Sequence, residues 1–144
     1  MHAAETPIPA SAIDDVLALA ADDMNRVDEL IRESLASDVD LVSNVARYIV
    51  MSGGKRLRPM LVLLAARALG YNGDAHYRAA AIIEFIHTAT LLHDDVVDSS
   101  ERRRGQASAN AVFGNQASVL VGDFLYSRAF QMMVDLDSMH IMQI

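Results

Sequence analysis

With 144 residues, 52% of them hydrophobic, the chain suits one packed domain and excludes disorder. It has no cysteine, which excludes disulfides and thiolate metal sites. A net charge of −7 speaks against general affinity for nucleic acid or anionic lipid.

The first residues, MHAAETPIPASAIDD, lack the basic and apolar segments of a signal peptide. Apolar runs are broken by Arg or His well short of the ~18 residues of a membrane span. The expectation is therefore a cytoplasmic protein without an integral membrane segment. From Ile13 to Leu35, apolar residues at Ile13, Val16, Leu17, Ala20, Met24, Val27, Ile31 and Leu35 trace one helical stripe. A second amphipathic run, Val39 to Met51, stops at Ser52-Gly53-Gly54. Pro59 sits where a first helical turn would begin, and Met60 to Leu69 run on to a stop at Gly70.

Tyr71-Asn72-Gly73 reads as a turn, with Asp74 the N-cap of a helix from Ala75 to about Asp98. At ~1.5 Å per residue that helix is roughly 35 Å long, and it is apolar on most sides, so it belongs inside a bundle. Ser99 to Ser108 reads as a polar loop. Helix resumes at Ala109, is interrupted near Gly114 and continues to about Val134, and Ser138 to Ile144 resembles a helix just starting, without a cap. No strand alternation appears, so the fold class is all-α.

Charge is concentrated in LLHDDVVDSSERRRG, residues 91–105, where three aspartates precede three arginines. Asp94 and Asp98 are four apart, hence on one helix face about a turn apart. Two bare carboxylates there repel unless a cation intervenes, and a hard oxygen pair suits Mg²⁺ completed by waters and phosphate oxygens. Asp95 points roughly 100° away, as an outer partner. The competing view has the aspartates ending a helix in solvent, but carboxylates at a helix C-terminus oppose its macrodipole. His87, seven residues before Asp94, lies nearly on the same face; His93 is offset and keeps a core or structural reading. Gly53-Gly54-Lys55-Arg56-Leu57-Arg58-Pro59 sets cations between a glycine turn and a helix start, where an anion is favoured. Arg103 and Arg104 offer guanidinium forks for phosphate. A diphosphate bound to Mg²⁺ would satisfy clusters of both signs.

GGKRLRP at 53–59, EFIHTATLLHDDVVD at 84–98, RRG at 103–105 and VFGNQASVLVGDFLYSRAFQMM at 112–133 resemble the trans-polyprenyl diphosphate synthases. The nearest resemblance is to the bacterial octaprenyl and related long-chain members, from about Asp22 onward; the first 21 residues read as a leader. It implies a terpenoid-synthase helical bundle, truncated here to the N-terminal part of a single domain (1–144), and a homodimer at full length. Lys55, Arg58, His87 and Arg104 would hold isopentenyl diphosphate. Asp94 and Asp98 would carry Mg²⁺ with Asp95 in support, and Arg103 would bind the allylic prenyl diphosphate. Asp94, Asp95, Asp98 and Arg103 would thus serve catalysis. The small residues Ala89 and Thr90, near the aspartates, imply a long product on the scale of a quinone (ubiquinone) side chain.

The pattern departs from the family at Ser99 and at Gln106-Ala107-Ser108, where an acid and a basic-Pro-Thr run are usual. A second aspartate-rich motif is also missing, since Asp135 and Asp137 do not form one, so the isolated chain is expected to be inactive. Other readings are a shorter-chain farnesyl or geranylgeranyl synthase, a class I terpene cyclase, and a non-catalytic partner subunit. The paired basic motifs disfavour the cyclase, and the intact aspartates disfavour the partner.

Overall fold

The computed structural model describes residues 9–52 and 54–144. Gly53, the first glycine of the basic motif and part of the expected helix stop, lies outside them. Helix α1 spans Ala10–Ser34, α2 Asp40–Met51, α3 Leu57–Ala68 and α4 Ala75–Val97; a short hairpin leads to α5 (Ala109–Phe113), α6 (Asn115–Asp135) and α7 (Met139–Met142). Residues 10–21, within the expected leader, are continuous with α1.

The long apolar helix takes the central position. Helix α4 packs against α6, α3, α1 and α5. Its Ala81, Ile82, Phe85, Ala89 and Leu92 join Val27 and Ile31 of α1, Leu63 of α3 and Val121 and Leu125 of α6 in one core. Each fully buried Leu, Ile or Phe contributes about 1.5–3 kcal/mol. Gly122 lets α6 approach α4 closely, since a Cβ there would collide with the His93 ring. His93 in turn contacts the Val119 carbonyl at 3.2 Å and Asp123 at 3.3 Å, which fits its structural reading. The stripe on α1 is buried at Ala20, Val27, Ile31 and Leu35, whereas Ile13, Val16 and Leu17 are exposed. Among the described residues no helix is long and apolar enough to cross a membrane.

Three local expectations need correction. Asp74 occupies the N-cap position of α4 but makes no side-chain cap; the Tyr71 hydroxyl accepts from the Ala75 amide instead, at 3.4 Å. Ser138 does cap α7, its Oγ accepting from the Ile141 amide at 3.4 Å. The polar loop contains a β-hairpin, β1 (Arg102–Arg103) paired antiparallel with β2 (Gln106–Ala107). Arg104 (φ 50°) and Gly105 (φ 78°) form its turn, both in the left-handed region that a two-residue hairpin of type I′ demands. Two residues per strand are too few to show alternation.

Candidate active site

The turn before α3, the middle of α4 and the hairpin tip converge on a cleft of 480 Å³. Lys55 and Arg58 come from the turn and the first residues of α3, Glu84 and His87 from α4, and Arg104 from the hairpin. The fold thus gathers five cations or cation-capable groups, Arg56 of the turn among them, from segments far apart in sequence. Arg58 Nη1 lies 3.1 Å from His87 Nε2. A guanidinium only donates, so Nε2 accepts and the ring is neutral with its proton on Nδ1. Burial first, then the Arg58 charge, holds His87 below its ordinary value of 6.5. Arg104 lies flat over Gly54, where a Cβ would come within 2.6 Å of the guanidinium.

Asp94, in the last turn of α4, and Asp98, at its C-cap, are both exposed. Among the described residues neither carboxylate has a hydrogen bond or salt bridge, and no cluster of three or more acidic or histidine ligands forms. The protein therefore offers two hard, unpartnered oxygen donors one turn apart. That fits a hydrated divalent cation such as Mg²⁺, which takes one or two carboxylates and its remaining ligands from water and phosphate.

Asp95 faces the other way, as its offset predicts. It is 3% exposed, and Arg103 grips both of its oxygens, with Nε 2.8 Å from Oδ2 and Nη2 2.6 Å from Oδ1. The hydrogen bonds it donates to Asp95 raise the Arg103 pKa still further. Arg103 is thus fixed in place and permanently charged, with about a quarter of its side chain exposed. Arg102 donates to the Gly105 carbonyl at 2.7 Å from an exposed position, which closes the hairpin turn.

Sequence reasoning missed the groups that hold these cations. Tyr48 on α2 donates to the Ala107 carbonyl at 2.7 Å, while Ser108 Oγ (2.7 Å) and Asn110 Nδ2 (2.9 Å) both donate to the Ser100 carbonyl. Together they latch the hairpin to α2 and to the end of α4. Glu84 was also missed, although its spacing three before His87 places it on the same face. Ala89 is fully buried in the core, and Thr90 shares a 2.9 Å hydrogen bond with Tyr126.

The all-α bundle thus sets a cation-lined cleft against the helix whose end carries a pair of free carboxylates. The family model for polyprenyl synthetase matches residues 39–144. The chain belongs to the polyprenyl synthetase family. It is 59% identical to octaprenyl diphosphate synthase of Escherichia coli over 132 residues, 92% of this chain and 41% of that protein. It is 52% identical to an all-trans-nonaprenyl-diphosphate synthase of Rhodobacter capsulatus, covering 90% of this chain and 40% of the relative. The chain thus spans about two fifths of the length of the curated relatives it matches.

Solved structures agree. A decaprenyl diphosphate synthase from Rhodobacter capsulatus superposes with a TM-score of 0.87 at 50% identity, over 90% of this chain and 40% of that one. A polyprenyl synthase from Caulobacter crescentus, complexed with calcium and isoprenyl diphosphate, gives 0.88 at 46% identity, over 95% and 42%.

Proposed function

We propose that the chain carries the substrate-gathering half of a trans-prenyltransferase. The enzyme would add isopentenyl diphosphate units to an allylic diphosphate and yield a long-chain all-trans polyprenyl diphosphate, octaprenyl in length, for quinone side chains. The observation that carries the reading is the convergence of Lys55, Arg58, His87 and Arg104 on one cleft, on the helix that ends in Asp94 and Asp98. Similarity to octaprenyl diphosphate synthases supports the product class.

In this reading Lys55, Arg58, His87 and Arg104 hold the diphosphate of isopentenyl diphosphate. Arg103, fixed by Asp95, meets the allylic diphosphate. Asp94 and Asp98 hold Mg²⁺, which when bound supplies charge neutralisation for the departing pyrophosphate. The allylic C–O bond breaks with its electron pair leaving on pyrophosphate, a poor leaving group until its charge is met. Arg103 meets part of that charge with a guanidinium already oriented, so no reorganisation is needed as the charge develops. The double bond of isopentenyl diphosphate then forms the new C–C bond, and loss of a proton restores an allylic product. A homodimer at full length and a cytoplasmic location belong to the same reading.

Joining residues 1–144 to the remaining three fifths of the E. coli octaprenyl diphosphate synthase supplies the test. With labelled isopentenyl diphosphate and an allylic primer, the joined chain is expected to release a long all-trans product, and Asp94→Ala is expected to abolish it. The 144-residue chain alone is expected to give none. Release of a cyclic hydrocarbon without label would replace the reading by a terpene cyclase, and a short labelled product would replace the chain length only.

A further inference from the structure

The basic motif contains three cations, and the reading above employs Lys55 and Arg58 but leaves Arg56 idle. Arg56 also borders the cleft, but unlike its neighbours it is engaged by groups of the protein itself. Lys55 and Arg58 are exposed, whereas the Arg56 side chain is 16% exposed and reaches inward between two acids. Its Nε lies 3.4 Å from Asp28 Oδ1 on α1, and its Nη1 lies 3.6 Å from Glu84 Oε1 on α4. Its Nη2 contacts the Val50 carbonyl at the end of α2, at 3.4 Å. One guanidinium therefore ties the turn to three helices.

The backbone at Arg56 is unusual as well. Its φ of 51° lies in the left-handed region, where a residue with a side chain persists only when its surroundings hold it. The Arg56 carbonyl accepts the Met60 amide at 3.1 Å, so this residue also begins α3. Lys55 and Arg58 flank it at one and two positions, and their directions follow from that turn. Glu84 raises a second issue, because it lines the cleft beside His87 and is only 14% exposed. An unmasked carboxylate in a diphosphate cleft would repel the ligand it is meant to admit.

We propose that Arg56 is a positioning residue that fixes the turn presenting Lys55 and Arg58 and masks the Glu84 carboxylate from a bound diphosphate. The inference rests on the cleft being an anion site. It differs from that reading in assigning the inward cation to the protein's own acids and not to the ligand.

Titration calorimetry of the 144-residue chain with inorganic pyrophosphate, paired with thermal melting without ligand, tests it. Arg56→Met is expected to weaken pyrophosphate binding about 30-fold, and Arg56→Met with Glu84→Gln only about fivefold, because the exposed carboxylate is gone. Arg56→Lys keeps the charge but cannot span Asp28, Glu84 and the Val50 carbonyl at once, so a loss of about threefold is expected. Where Arg56→Met does not fold, Arg56→Lys carries the comparison: adding Glu84→Gln is then expected to return its affinity toward wild type. In melting, the Arg56 and Glu84 substitutions are expected to be non-additive by about 3 °C.

Equal affinity of Arg56→Met and wild type, or a double variant no tighter than the single one, overturns the inference. Additive melting shifts overturn it too. Failure of wild type to bind pyrophosphate while the melting coupling persists overturns the anion-site reading and the masking role, and leaves the anchoring of the turn standing.

Discussion

In the cleft, Lys55 from a turn, Arg58 from the start of α3 and Arg104 from the hairpin turn meet His87 on α4. At the end of that same helix, Asp94 and Asp98 stand exposed, with no third ligand among the described residues. The first site is made by convergence, and the second by the register of one helix. A convergent site depends on tertiary anchors: the Asp95 fork on Arg103, the Tyr48 and Asn110 latches on the hairpin, and Arg56 beneath the turn. A register site needs only that α4 stay helical. The two should therefore fail in different ways, and neighbouring aspartates of one motif should behave unlike each other.

The largest contrast lies between Asp95 and Asp94. Asp95→Ala strands Arg103 beside a buried gap, and a loss of about 3 kcal/mol is expected, lowering the melting temperature by roughly 10 °C. Asp94→Ala removes an exposed, unpartnered carboxylate, and its effect on melting is expected to stay within about 0.5 kcal/mol. Thermal unfolding followed by circular dichroism compares the two. Equal melting temperatures would mean that the Asp95–Arg103 fork does not anchor the hairpin.

Next in size is the separation of anion binding from the aspartates. Arg58→Ala removes a charge-assisted donor from the cleft and is expected to weaken pyrophosphate binding about 30-fold in metal-free buffer. Asp98→Ala in the same buffer is expected to change it by less than about twofold, since Asp98 has no contact with the cleft. Adding Mg²⁺ sharpens the comparison from the other side. It is expected to tighten pyrophosphate binding about tenfold in wild type, and Asp94→Asn or Asp98→Asn should each remove that gain. Calorimetry with Mg²⁺ and with chelator measures both effects, and a gain that survives both substitutions would place the metal elsewhere.

What the sequence made legible follows the same division. The spacing of Asp94 and Asp98, the offset of Asp95 and the alignment of His87 are properties of one helix, and helical periodicity states them outright. The long apolar run from Ala75 likewise announced a central helix. The pairing of Arg103 with Asp95 was not legible, because eight residues and a change of element separate them. Nor was the inward turn of Arg56, since its acids lie on α1 and α4, 28 residues away in each direction. The hairpin escaped because its turn is Arg104-Gly105, whose first residue is not among the usual left-handed formers. Ala89, read as a small residue on the side of the growing product, is fully buried in the core, and its burial could not be told from spacing alone.

The smallest expected effect concerns protons in the cleft, and its sign follows from His87. Burial and Arg58 hold its folded pKa below 6.5, so between that depressed value and 6.5 the unfolded chain binds more protons than the folded one. Stability without ligand is therefore complete above about pH 6.5 and falls as the pH drops through that window. A bound pyrophosphate reverses the local balance, because its negative charge favours the imidazolium and raises the His87 pKa. Binding below about pH 6.5 should then take up a proton at His87, and the affinity should gain about fivefold on acidification relative to His87→Gln. Pyrophosphate titrates in the same range, but that contribution is common to both proteins and cancels in the comparison. Calorimetry in two buffers of different ionisation enthalpy counts the protons directly. Equal proton uptake by wild type and His87→Gln would show that His87 stays neutral beside the ligand, held by Arg58 as an acceptor and not recruited as a charge.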